Sequence, residues 1–228
     1  MPQPGDAVIA PAPASDVVFL LDVDNTLLDN DAVVEDLRRH LTDRFGRDSE
    51  QRYWTIFEQL RSEVGYADYL GALQRFRLEH PREPHMLGVS LYLFHYPFAD
   101  RLYPGALHAI AALRRRGPVV ILSDGDVVFQ PRKVERSGLW AAVEGRVLIY
   151  VHKEQMLDDV EARYPAKRYV MVDDKVRILA AMKSVWRERL TTVFVRQGHY
   201  AADAALVASY PAPDVAIDRI ADLAEARL

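Results

Sequence analysis

The chain has 228 residues, half of them hydrophobic, which suits one large domain or one domain carrying an insertion, with enough apolar mass for a real core. A formal net charge of -4 speaks against a protein held to nucleic acid by phosphate contacts, and no apolar run is long enough to cross a bilayer. The absence of cysteine excludes a disulfide framework, a thiolate metal site and a cysteine nucleophile.

The N-terminal stretch "MPQPGDAVIAPAPAS" has no basic region and no uninterrupted apolar run, so it reads as a flexible tail over residues 1–15 and not as a secretory signal. The expectation is a soluble, cytoplasmic protein. The first apolar run, "VVFLL" (17–21), ends abruptly in Asp22, Val23, Asp24, Asn25 and Thr26. From about residue 30 to 100 the pattern is helical and rich in aromatics. In "SEQRYWTIFEQLRSEVG", Tyr53, Ile56, Phe57, Leu60 and Val64 follow a helical stripe, with Asp48 and Gln51 as a capping pair. "YADYLGALQRFRLEH" and "PHMLGVSLYLFHYPF" complete this helical insertion.

Beyond it, strand and helix alternate. "PGALHAIAALRRRG" (104–117) presents Leu107, Ile110, Ala111 and Leu113 on one side and stops at Gly117. The runs "PVVIL" (118–122), "RVLIYV" (146–151), "RYVMV" (168–172) and "TTVFV" (191–195) show little alternation, as strands buried on both faces do. "DKVRILAAMKSVWRERL" (174–190) and the last stretch, "VAIDRIADLAEARL", are amphipathic helical patterns, and "RQGHYA" (196–201) reads as a connecting loop. This order predicts an α/β, doubly wound, mainly parallel sheet. Its core domain takes residues 16–29 and 101–228, and the insertion forms a helical cap domain at 30–100.

Ligands of open α/β sheets bind outside the carboxyl ends of the strands. Asp22 and Asp24 sit at such an end and point the same way from an extended backbone. Two carboxylates ~4 Å apart repel by about 4 kcal/mol at an effective dielectric near 20, so a divalent cation or a lysine should lie between them. Alone, a strand followed by D-x-D-x-T is an ordinary capped turn. An EF-hand loop does not fit, because Leu27 and Val33 stand where glycine and glutamate are needed.

Three further strand ends carry chemistry. Ser123 closes the second run, where its hydroxyl would donate to a phosphoryl oxygen or form a Ser-Asp-Gly turn. Lys153 follows the third run, where it would neutralise carboxylates and an anion or serve as a solvated surface charge. Asp173 and Asp174 close the fourth, where one caps a helix or both supply hard oxygen ligands suited to Mg²⁺.

Taken in order, D-x-D-x-T, Ser, Lys and Asp-Asp at successive strand ends, with a helical insertion after the first, resemble the haloacid dehalogenase-like (HAD) superfamily with its helical type 1 cap. The resemblance covers about residues 17–200, and "DVDNT" is its most specific part. Many members have proline after the lysine, where Glu154 stands here, and glycine before the metal-binding aspartate, where Asp173 stands.

The resemblance implies that Asp22 is the nucleophile and forms an aspartyl-phosphate. It makes Asp24 the general acid and then the base, with its backbone carbonyl on Mg²⁺. Thr26 would fix the loop and orient Asp24, and it would stand in the phosphate-binding set with Ser123 and Lys153, which would hold the phosphoryl oxygens. Asp22, Asp24, Asp174 and Asp173 would hold the metal, with Asp174 as the direct ligand. An acid at the position of Asp24 favours phosphoryl transfer over carbon–halogen cleavage. The expected function is Mg²⁺-dependent hydrolysis of a small phosphorylated metabolite, with neither nucleic acid nor membrane as a partner. A phosphomutase, a dehalogenase, a non-catalytic binder of phosphorylated ligands and a receiver-like signalling domain are the alternatives.

Overall fold

The computed structural model describes residues 14–228, so all but the last two residues of the expected tail lie outside the described residues. Ser15 already opens strand β1 (Ser15–Leu21). Along β1 the side chains alternate between two faces. Val17, Phe19 and Leu21 enter one buried cluster, and Val18 and Leu20 enter the other. Both faces are covered, which is why the sequence run is continuously apolar.

The insertion follows as α1 (Asn30–Phe45), α2 (Arg47–Val64), α3 (Tyr69–Glu79) and α4 (Met86–His95). The alternating part then runs α5 (Ala106–Arg114), β2 (Val119–Asp124), α6 (Phe129–Arg136), α7 (Leu139–Ala142), β3 (Val147–Tyr150) and α8 (Leu157–Arg163). It closes with β4 (Ala166–Asp173), α9 (Val176–Trp186), β5 (Leu190–Val195), α10 (Gly198–Ala202), α11 (Ala204–Ala208) and β6 (Val215–Ile217). The six strands form one sheet in the order β3-β2-β1-β4-β5-β6, and every neighbouring pair is parallel. Residues of α8 and α9, among them Val160, Ile178 and Met182, join the Val18 cluster. Residues of α5, α6 and the insertion, among them Ile110, Phe129 and Tyr53, join the Val17 cluster on the opposite face. Helices on both faces make the sheet doubly wound.

Four local expectations change. The buried residues of α5 are Ala106, Ala109, Ile110, Ala112 and Leu113, while Leu107 and Ala111 face solvent. The i, i+3, i+4, i+7 row starts one residue earlier, because small alanines pass for surface residues in a pattern of leucines. Asp48 and Gln51 do not cap α2, whose cap is Gly46; Asp48 lies inside the first turn, where its charge still suits the helix dipole. The C-terminal stretch is not one amphipathic helix: β6 comes first, then a 3-10 turn over Ile220–Ala224 that buries Ile220 and Leu223. Finally, "RQGHYA" contains the first four residues of α10 and reaches the site described next.

Candidate active site

The end of β1 is built by one carbonyl. The Val23 oxygen accepts from the amides of Thr26, Leu27 and Leu28 at 3.3, 2.9 and 2.9 Å, curling the chain back on itself. Val23, Leu27 and Leu28 fill the core. Asn25 takes a positive φ of 61° within the turn, a conformation that asparagine tolerates. Its side-chain oxygen accepts from the amides of Asn30 and Asp31, which fixes the start of α1. Asp29 caps α1 by accepting from the Ala32 amide, so Asp29 and Asp31 belong to the insertion and not to the acidic cluster.

Asp22, Asp173 and Asp174 are buried together, each with an oxygen within 4.8 Å of the others. Lys153, also buried, lies between two of them, 2.6 Å from Asp22 Oδ1 and 2.7 Å from Asp173 Oδ2. Burial works against the Lys153 charge, but the carboxylates of Asp173, Asp22 and Asp124 outweigh it and hold the ammonium firmly protonated. Thr26 donates to Asp22 Oδ2 at 3.1 Å and accepts from the Asp174 amide at 3.1 Å. It therefore holds Asp22 and the Asp174 backbone, not Asp24 as the sequence suggests, and its hydroxyl is already committed.

The two aspartates at the end of β4 differ. Asp173 has Lys153 on one oxygen and the Lys175 amide, 2.8 Å away, on the other. Both oxygens of Asp174 are buried without a hydrogen-bond partner. Burial, and then the charges of Asp173 and Asp22, push its carboxyl well above the usual carboxylate range. Such a group calls for a cation. The charge balance agrees. Asp22, Asp24, Asp124, Asp173 and Asp174 face Lys133, Lys153 and Lys175, and with every group ionised two negative charges remain, the number one divalent ion neutralises. Hard oxygen donors of this kind suit Mg²⁺.

Asp24 is placed apart from that cluster, and its partner is a residue the sequence did not reveal. Lys133 of α6 is fully buried and reaches both Asp24 oxygens, at 2.7 and 2.9 Å, and Asn30 Oδ1 at 3.0 Å. Gln130, one residue-turn earlier on the same helix, donates to Ser123 Oγ at 3.0 Å. Ser123 is buried at the end of β2, and its own hydroxyl proton has only a long contact, 3.4 Å to the Asp124 carbonyl. The signal for α6 was present but faint: Gln130 and Lys133 alternate with the buried Phe129 and Val134, so two polar residues lie on the inward face of the helix.

Over these residues opens a cleft of about 530 Å³, within the range of small-molecule sites. Asp24 and Asp174 line it, with Arg61, Tyr66, His152, Lys175 and Tyr200 around it. Lys175 has no hydrogen-bonded or ion-paired acceptor for its ammonium among the described residues; the group lies 5.0 Å from the centre of the Tyr200 ring. Arg61 of the insertion donates to the Tyr200 hydroxyl, and the His199 ring nitrogen lies 2.6 Å from Asp31. The segment after β5 thus joins the insertion to the rest of the molecule. Glu154, which departs from the family pattern, pairs with Arg177 at 2.7 Å.

A carboxylate-rich centre at the carboxyl end of an all-parallel sheet, beside a helical insertion after the first strand, marks the class of open α/β proteins that bind their ligand at the strand ends. Residues 17–185 match the family model of haloacid dehalogenase-like hydrolases, and the chain belongs to that family. A crystal structure of a haloacid dehalogenase-like hydrolase from Burkholderia xenovorans LB400 is 64% identical, covers 94% of this chain and 100% of its own, and superposes with a TM-score of 0.89. Two more distant structures share the fold. The magnesium-bound HAD-hydrolase YfnB of Bacillus subtilis is 17% identical over 92% of this chain and 98% of its own, with a TM-score of 0.62. The L-2-haloacid dehalogenase of Xanthobacter autotrophicus is 18% identical over 92% and 97%, with a TM-score of 0.60. A search of curated proteins returned no match.

Proposed function

We propose that this hydrolase is a Mg²⁺-dependent phosphatase that cleaves a small phosphate monoester through an aspartyl-phosphate on Asp22. The observation that carries the reading is Asp24, a second carboxylate two residues after the first, lining the cleft over the acidic centre. Cleavage of a carbon–halogen bond releases a halide, which needs no proton donor; an alkoxide leaving from phosphorus does.

In this reading an Asp22 oxygen attacks phosphorus, a new oxygen–phosphorus bond forms and the bond to the leaving oxygen breaks. Asp24 gives that oxygen its proton, then takes one from the water that attacks the aspartyl-phosphate, so that phosphate leaves and Asp22 is regenerated. Lys153 and the Ser123 hydroxyl hold the phosphoryl oxygens; Gln130 donates to Ser123 Oγ, and the long contact to the Asp124 carbonyl leaves the hydroxyl proton to be given to a phosphoryl oxygen. Thr26 keeps Asp22 in line. Asp22, Asp174 and the Asp24 backbone carbonyl would hold Mg²⁺, with Asp173 reaching it directly or through water, and the ion would offset repulsion between carboxylate and phosphate dianion. The helical insertion acts as the cap that shields the reaction from bulk water.

The test is hydrolysis of a generic aryl phosphate. Activity should require Mg²⁺, vanish with chelator and be lost in Asp22→Asn; robust turnover by that variant would sink the mechanism. Halide release from a 2-haloacid, with no phosphate release from any ester, would instead establish a dehalogenase.

A further inference from the structure

We propose that Lys133 is a positioning residue for Asp24, setting the carboxylate in place for its proton transfers and linking that placement to the seating of the helical insertion. This inference rests on the phosphatase reading of Asp22 and Asp24. Its starting point is a lysine with no exposed side-chain surface, on an interior helix face where an apolar residue would ordinarily stand. Such an ammonium is kept only where its partners compensate for lost water. Here they are the two oxygens of Asp24, Asn30 Oδ1, and the ring faces of Phe129 and Tyr69, 5.7 and 5.9 Å from Nζ.

Asp24 needs such a partner. Its side chain is about one quarter exposed to the cleft, and its only other side-chain donor among the described residues is the Gln130 amide, 3.5 Å away. A carboxylate on a turn at the edge of a cleft has two free torsions, and a donor on both oxygens fixes its plane and its position. The same ammonium reaches Asn30, the first residue of α1, whose amide donates to the Tyr69 hydroxyl at the start of α3. Tyr69 is buried, and its carbonyl accepts from the Tyr53 hydroxyl in α2. A continuous chain of contacts therefore runs from Asp24 through Lys133 and Asn30 into three helices of the insertion. If the insertion moves, the acceptors around Lys133 change, and Asp24 with them.

The experiment compares Lys133→Met with Asp24→Asn on a pair of phosphate esters, one with a nitrophenyl and one with an alkyl leaving group. Lys133→Met should lower kcat/KM about tenfold more for the alkyl ester than for the nitrophenyl ester, following the pattern of Asp24→Asn. It should add little in the Asp24→Asn background, because the two residues act as a unit. Lys133→Arg should recover part of the loss. Equal losses for both esters, or losses that multiply in the double variant, would overturn the proposal in favour of a purely structural ion pair. A crystal structure of Lys133→Met, or of Lys133→Arg where the first does not fold, should show the Asp24 carboxylate displaced. An unmoved Asp24 would overturn the proposal whatever the substrate is. Continued turnover by Asp22→Asn would instead count against the phosphatase reading itself.

Discussion

Asp174 stands at the carboxyl end of the sheet with two buried oxygens and no donor for either, while its neighbour Asp173 has the Lys153 ammonium against one oxygen and the Lys175 amide on the other. A cation bound there would relieve the cost of that charge, so Mg²⁺ should stabilise the fold as well as serve the reaction. At a free concentration of ten times Kd the gain is about 1.4 kcal/mol, or roughly 3–6 °C in Tm for a chain of this size. Asp174→Asn should abolish the gain, and thermal unfolding with and without Mg²⁺ checks it; an undiminished shift would move the metal elsewhere. For Asp24→Asn, hydrolysis of an alkyl phosphate should fall by about 10²–10⁴-fold, and an unchanged rate would mean that the acid lies elsewhere. Asp22, Ser123, Lys153 and Asp174 were legible only as a set: each lies at or just past the end of an apolar run, a weak signal singly, and it is their order along the chain that resembles the family. Lys133 was not legible. Its partner lies 109 residues away, and in a helix of mixed polarity little distinguishes the inward-turned Lys133 from the neighbouring Arg132 and Arg136.

At the scale of elements, the insertion is fastened at two seams. At the first, Asp36 of α1 accepts from the Tyr96 hydroxyl and the Arg101 guanidinium, where the insertion returns to the core. Burial opposes the Asp36 charge, but these hydrogen bonds and the Arg101 charge prevail and lower its carboxyl below the usual value. Its stabilisation is therefore present above the unfolded carboxylate range, near pH 4 and upward, and is lost as pH falls through the lower folded value. Asp36→Asn should cost about 1 kcal/mol at neutral pH after screening and flatten the acid limb of a stability profile. A variant with an unchanged acid limb would show that the seam is inert. At the second seam, His199 and Tyr200 meet Asp31 and Arg61 of the insertion, and their segment is seated on the β1 turn: Gly198 has a φ of 70°, and a Cβ there would come within 2.4 Å of the Asn25 side chain. Gly198→Ala should destabilise by about 1–3 kcal/mol and lower activity by displacing His199 and Tyr200 from the cleft; a stable, fully active variant would contradict this. The approach of "RQGHYA" was hidden in the sequence because a short polar turn looks alike whether it borders solvent or a cleft. Strands β1–β5 were visible as unbroken apolar runs. The three-residue β6 was not, since a short edge strand lacks the double burial that makes such runs.

At the scale of the molecule, one apolar cluster spans the insertion and a full face of the sheet. Tyr69 of α3 meets Phe129 of α6 at 5.5 Å between ring centres, and Phe98 meets Phe129 at 5.8 Å. The helices between residues 30 and 100 therefore share their interior with the core. The expected outcome is a single unfolding transition, with Trp54 in the insertion and Trp186, stacked on Tyr169 across the sheet, changing fluorescence together. Two separated transitions would show that the insertion folds as an independent unit.

The central place of β1 also has a consequence for how the chain is made. This strand pairs with β2, from Phe19 against Val119 onward, and with β4, from Ser15 against Ala166 onward. As the chain leaves the ribosome, β1 emerges first with both hydrogen-bonding edges bare, and it waits for about a hundred residues to close one edge and about fifty more for the other. The four helices translated in between have local contacts and form early. They can shelter the apolar Val17 face through the wait, while the Val18 face stays open until α8 and α9 arrive. On this view the insertion shields a vulnerable strand in the nascent chain before it takes its place beside the cleft.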